Sequence, residues 1–196
     1  MTLFQNAYVP GLATSGTERG LVERVRAGDQ SAIEELFYTY YKGLCHFTLG
    51  MTHSRDDVED LVQDIFVRIW INREIWDPKG SVKAYLFRAA RNQALNFIKN
   101  RTSHQLSAPD GEDELPSPQD TEPSNYLDHK DTRAVVNNAI SKLPHKCRLV
   151  FVLNRQEELS YSEIADVLGI SERTVENQIS RALRILRKSL RPLTNQ

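Results

Sequence analysis

The sequence predicts an all-α fold of two small helical domains joined by a flexible acidic linker, and three observations predict it. Apolar residues recur at spacings of three and four through residues 18-101 and again beyond 128, the period of helices that bury one face. Residues that start and stop helices punctuate both stretches. Between them "SAPDGEDELPSPQDTEPSN" is rich in Pro, Ser and carboxylates and has no apolar period, so it reads as an extended tether. The 196 residues therefore divide into a mobile tail (1-17), a helical block (18-101), a linker (102-127) and a second helical block (128-196).

With 40% hydrophobic and 26% charged residues, each block can bury a modest core. The net charge of −1 argues against a purely electrostatic nucleic-acid coat, but it hides a partition of about +1, −6 and +4 over 1-101, 102-127 and 128-196. The opening "MTLFQNAYVPGLATSGT" has no basic n-region and no long apolar run, and no later run could cross a bilayer, so a cytoplasmic chain without membrane insertion is expected. Cys45 and Cys147 stand alone; buried thiols are expected, with no metal, disulfide or cofactor.

The first block opens with a helix from about Arg19 that pauses at Gly28-Asp29 and resumes with Ser31 as the expected cap. Ile33, Leu36, Phe37, Tyr40, Leu44 and Phe47 give the next helix its apolar positions. A further helix comes after Ser54, with Asp56 and Asp57 in its first turn, where carboxylates suit the helix dipole. Val58, Leu61, Val62, Ile65, Phe66 and Ile69 form its buried stripe, while Asp60, Gln63 and Asp64 project oppositely. No His or Cys lies at a ligand spacing beside those carboxylates, so a partner-docking or solvated face is expected in place of metal or acid-base chemistry.

The turn "WDPKGS" breaks the chain at Pro78 and Gly80, and Ser81 can cap the next helix. Val82, Leu86, Ala89, Ala90 and Phe97 face inward; Arg88, Arg91, Asn92 and Lys99 lie opposite. Six basic and no acidic residues fall between Lys79 and Arg101, with Trp76, Tyr85 and Phe87 interleaved or adjacent. Flat rings beside phosphate-binding cations suit unpaired bases. Trp76, in the turn, is the foremost stacking candidate, while burial competes with base contact at Tyr85 and Phe87.

The second block begins near Leu127 with a helix through Ile140, then "LPHKCRLVFVLN", with Pro144 tolerated in a first turn. Ser160 and Glu163 have capping-box spacing, Ile164, Ala165 and Leu168 share a face, Gly169 can end the helix left-handed, and Ser171 can cap the next one. This is a helix-turn-helix pattern. In its second helix Val175, Ile179, Ala182 and Leu186 form the inner stripe, leaving Arg173, Asn177, Ser180, Arg181 and Arg184 outward. Asn matches an adenine edge and Arg a guanine edge in the major groove. No acid follows Glu176, so the end of the chain is a basic run.

In order and spacing, "DDVEDLVQDIFVRIW", "GSVKAYLFRAARNQALNFIKN" and "LPHKCRLVFVLNRQEELSYSEIADVLGISERTVENQISRALRILRKSL" resemble bacterial RNA polymerase sigma factors of the extracytoplasmic-function (ECF) type. Residues 18-101 resemble region 2 of the sigma-70 family and 128-190 region 4. The resemblance implies that Asp60, Gln63 and Asp64, with Arg68 nearby, dock on the clamp helices of the largest subunit of core RNA polymerase, and that the flap region is a further partner surface. It implies that Trp76, Asp77, Lys79, Lys83, Arg88, Arg91, Asn92 and Lys99 contact the minus-10 element as it opens, with one nontemplate base captured by the loop. It further implies that Glu176, Asn177, Ser180 and Arg181, with Arg184 on the same basic run and Arg173 and Thr174 near phosphates, read the minus-35 duplex. Glu176 departs from the basic residue frequent in the family. The linker would run through the RNA exit channel, and an anti-sigma factor or another recruiting factor would control the protein.

A free-standing helix-turn-helix regulator with an N-terminal sensing or dimerisation domain accounts for Ser160 to Arg187 but not for the acid-free, aromatic-basic helix at 79-101. A nucleic-acid enzyme would need a nucleophile, phosphate loop or metal constellation that the sequence lacks.

Overall fold

Arg24 organises the first corner. Its guanidinium donates to Asp29 Oδ2 (2.8 Å), Ser31 Oγ (2.8 Å) and Glu35 Oε2 (3.0 Å), tying α1 (Glu18–Arg26) to α2 (Gln30–Thr52) across Gly28, whose φ of +83° suits glycine. The helix cap here is Asp29, accepting from the Ser31 backbone N–H at 2.9 Å. The expected cap, Ser31, lies inside the helix, because the Asp carboxylate two residues earlier outcompetes the Ser hydroxyl for that N–H.

A computed structural model describes residues 18–105 and 130–190, and shows eight α-helices and one 3-10 turn there. The others are α3 (Val58–Ile71), α4 (Val82–Gln105), α5 (Lys130–Ser141), α6 (His145–Arg155), α7 (Tyr161–Leu168) and α8 (Glu172–Leu190), with the 3-10 turn at Arg73–Ile75. The tail expected at 1-17, the linker from residue 106 onward and the helix start near Leu127 lie outside the described residues. Residues 102-105, assigned to the linker from sequence, continue α4; nothing in "TSHQ" breaks a helix that already exists. Pro144 sits just outside α6 as its N-cap residue, and α3 begins at Val58, one residue later than Asp57.

The inner stripes pack as their spacing implies. Val58, Val62, Ile65, Phe66 and Ile69 of α3 are buried, with Leu61 half-buried. On α2, Leu36, Leu44 and Phe47 are buried. Phe87 of α4 is fully buried and meets Phe47 edge to face, with centroids 5.4 Å apart. Each such side chain contributes about 1.5–3 kcal/mol by leaving water. Cys147 is buried and Cys45 half-buried; both are free thiols, and burial pushes the Cys45 thiol pKa up.

The cores of the two blocks merge. Leu149, Val150, Leu153, Leu159, Ile164, Val167, Val175 and Ile179 of the second block join the cluster formed by the first, as α6 packs on α2 and α7 on α4. A smaller cluster of Ala139, Leu143, Cys147, Phe151, Ala182 and Leu186 closes the far end between α5, α6 and α8.

Candidate nucleic-acid interface

The helix-turn-helix is held by short-range bonds. Ser160 and Glu163 form the reciprocal capping box, with Ser160 N–H donating to Glu163 Oε2 at 2.9 Å and Glu163 N–H to Ser160 Oγ at 3.3 Å. Gly169 ends α7 at φ +63°, and Ser171 Oγ accepts from the Thr174 N–H at 3.2 Å to start α8. The next turn of α8 buries Val175 and Ile179, which fixes the opposite face outward. Arg173, Glu176, Asn177, Ser180, Arg181 and Arg184 are all exposed there. Thr174 is half-buried, its hydroxyl paired with Ser171 at 2.8 Å. The structure thus brings the whole predicted duplex-reading set onto one helix face, with Arg187 and Lys188 continuing its basic edge.

The second predicted set divides. Beside α4 lies an open cavity of about 440 Å³, with Asn72, Ile75, Trp76, Asp77, Tyr85, Asn92, Gln93 and Asn96 in its walls, and Arg68 and Ile69 of α3 closing it. Its size falls within the range of small-ligand sites, and its amide side chains can both donate to and accept from a base edge. Asp77 and Asn92 are exposed at this cavity, while Lys79 is exposed on the adjoining loop. Arg88 donates to the Lys79 carbonyl at 3.4 Å, bracing that loop.

Lys83 and Arg91 point elsewhere. The Lys83 ammonium donates to the Glu157 carbonyl oxygen at 2.7 Å, and the Arg91 guanidinium covers Gly169, whose added Cβ would lie 3.4 Å from Nη2. Lys99 is exposed near the end of α4. The set expected as one face is therefore spread over two sides of α4.

Trp76 is a correction. The turn that should present its ring to a base instead inserts it between α3 and α4, where it is only 4% exposed and edge-on to Tyr85 at 6.0 Å. The cause is the 3-10 turn: Arg73 donates to the Trp70 carbonyl at 2.9 Å and stacks its guanidinium over the Trp70 ring, reversing the chain so that the next ring drops inward. Trp76 is cavity wall, not an open platform. Phe87 is wholly buried and no stacking surface, whereas Tyr85 is half-buried and lines the cavity.

On α3, Asp60, Gln63, Asp64 and Arg68 are exposed together. Gln63 also hydrogen-bonds Tyr41, a phenol whose pKa burial pushes up to about 12. Sequence reasoning passed over Val67 and Ile71, which extend this face and are 52% and 68% exposed. Their signal was available: two large aliphatics outside an already complete inner stripe.

A helix-turn-helix with a base-reading face, a second cation-bearing helix beside a polar cavity, and an acidic docking helix define a transcription-initiation class of protein. The models for sigma-70 region 2 and sigma-70 region 4 match residues 36–104 and 133–186. The chain is 31% identical over 188 residues to the ECF RNA polymerase sigma factor SigW of Bacillus subtilis, covering 88% of this chain and 96% of that one. It is 28% identical over 189 residues to the ECF RNA polymerase sigma-E factor of Haemophilus influenzae, covering 93% and 100%. Among solved structures, CnrH in complex with the cytosolic domain of CnrY is similar at TM-score 0.58 and 27% identity, over 89% of this chain and 97% of that one. The fold is also that of RpoE from Bartonella quintana, solved with the anti-sigma factor NepR, at TM-score 0.59 and 22% identity over 81% and 96%. The chain belongs to the ECF RNA polymerase sigma factors.

Proposed function

We propose that α8 seats on the minus-35 duplex, that the cavity beside α4 takes one unpaired base of the minus-10 element, and that the α3 face docks core RNA polymerase. The observation that carries this reading is the difference in shape between the two nucleic-acid surfaces. The α8 surface is convex, exposed and able to enter a major groove; the α4 surface is a cavity with amide-bearing walls, suited to a base taken out of the stack. Convex anchor and concave trap together favour melting at one end of the promoter while the other end stays paired.

Labour is divided accordingly. Asn177, Ser180 and Arg181 supply sequence discrimination, while Arg173, Arg184 and Arg187 supply attraction to phosphates. Asn92, Asp77 and the cavity amides hold the extruded base, with Lys79, Arg88 and Lys99 beside the strand. Polymerase performs the chemistry, so the chain itself is no enzyme, and it works where polymerase works, in the cytoplasm. Among the described residues no helix is long and apolar enough to cross a membrane. An anti-sigma factor or another recruiting factor is the expected controlling partner, in line with the CnrY and NepR complexes of the similar proteins.

Run-off transcription with core polymerase and a promoter library tests the reading. Transcripts should start a fixed distance downstream of one paired motif, and core polymerase or the chain alone should yield none. Asp60→Lys with Asp64→Lys should abolish co-purification with core polymerase while the circular dichroism spectrum stays helical. Unchanged association would remove the α3 face from the docking surface.

A further inference from the structure

Two blocks separated in sequence by an acidic linker share a core in this structure, and the seam between them runs along the N-terminal half of α4. Ser81, whose hydroxyl caps α4 by accepting from the Ala84 N–H at 3.2 Å, donates to Glu163 Oε1, 82 residues away. Glu163 thereby serves two helices, since its other oxygen closes the α7 capping box. The Ser81 bond is the leading cause holding the Glu163 carboxyl below its ordinary pKa, so the contact favours the charged form. Two residues on, Lys83 donates to the Glu157 carbonyl at 2.7 Å. The Glu157 carboxylate lies against α2 at Gly43, where an added Cβ would stand 2.7 Å from both oxygens. Arg91 covers Gly169, and the His145 Nε2–H donates to the Gly50 carbonyl at 2.9 Å.

These contacts cannot persist on a promoter. The minus-10 and minus-35 elements lie about 25 base pairs apart, about 85 Å at 3.4 Å per pair. A globule of the size described here is only about 40 Å across. The stretch between Gln105 and Lys130 could extend to about 80 Å, so the connection permits separation and the seam is what opposes it.

We propose that the seam is an autoinhibitory latch: region 4 occupies the Lys83 and Arg91 side of α4 in the free protein, and the minus-10 strand and the α6–α7 turn compete for that side. This rests on the minus-10 role of α4 proposed above. In the latched chain the α8 face is open while half of the α4 cations are engaged, so the chain alone is a poor binder of melted DNA. Separation of the blocks on polymerase releases Lys83 and Arg91 to the strand. Gly43 is the keyhole of the latch, because only a residue without a side chain leaves room for Glu157.

Zero-length carbodiimide crosslinking of the full-length chain, read by mass spectrometry, tests the latch. Lys83 should couple to Glu157 in the free protein, and the crosslink should disappear in the complex with core polymerase and promoter. Gly43→Leu, which fills the Glu157 seat without changing charge and retains a good helix former, should lose the crosslink. It should also bind a minus-10 single strand about tenfold more tightly as the free chain, because the competent fraction rises. Circular dichroism checks that the variant is folded. A crosslink kept at full yield in a transcribing complex overturns the latch and leaves the sigma reading standing. So does its absence from the free wild-type chain, or a Gly43→Leu protein that is open yet binds the strand no better.

Discussion

The two nucleic-acid helices, α4 and α8, differ in what their outward faces do when no DNA is present. The α8 face is wholly solvent-exposed from Arg173 to Lys188, while α4 spends Lys83 and Arg91 on the other block and turns only its remaining side to the cavity. Their inner faces differ too. The α8 stripe is regular and buries aliphatics, whereas α4 buries Phe87 and Leu86 in the merged core of both blocks. A helix with one job can be amphipathic in the simple sense. One that meets a core, a second domain and a strand of DNA has no side left over, and its polar residues must be sorted by contact.

The largest effect should come from the core beneath α4. Phe87→Ala removes a fully buried ring and should cost about 3–5 kcal/mol in denaturant unfolding; because the core is shared, both blocks should lose stability in one transition. Separate transitions, with region 4 unaffected, would break the comparison at its base.

On the outer faces the two helices should fail differently. Asn177→Ala or Arg181→Ala should lose about 1–3 kcal/mol of discrimination at particular minus-35 positions, whereas Arg187→Ala should weaken binding evenly across sequences. Competition binding against single-base promoter variants separates these outcomes; an even loss from all three would deny α8 its reading role. Asn92→Ala should cost about 0.5–1.5 kcal/mol, visible in open-complex lifetime but not in minus-35 affinity. A matching loss of duplex affinity would place Asn92 outside the base trap.

The smallest effect belongs to the corner furthest from DNA. Hydrogen bonds from Ser31 and then Arg24 lower the Asp29 pKa from 3.8 to about 2. A carboxyl with a folded pKa below its unfolded value stabilises the fold above the unfolded pKa, and that contribution fades as pH falls from about 4 towards 2. Asp29→Asn should therefore flatten the dependence of Tm on pH in that window; an unchanged slope would show that other carboxyls dominate it.

What was legible in the sequence is what neighbours three or four residues apart decide. The Ser160–Glu163 box, the left-handed Gly169 and the inner stripes of α3 and α8 are local patterns, and the structure realises each of them. The sorting of α4 was not local. Trp76 reads as an exposed turn residue until the Arg73–Trp70 contacts reverse the chain, and Ser31 reads as a cap until Asp29 takes its N–H. The bonds of Ser81 to Glu163 and of Lys83 to Glu157 span 82 and 74 positions, and no periodicity announces them. Val67 and Ile71 stood outside a complete stripe and were readable in principle.

Permanganate footprinting on a promoter, with and without core polymerase, tests the central claim most directly, because it reports unpaired thymines and can be paired with protection of duplex DNA. The account predicts a protected minus-35 duplex and reactive minus-10 thymines only when chain and polymerase are both present. Protection of a duplex operator by the chain alone, with no reactive thymine under any condition, would contradict it.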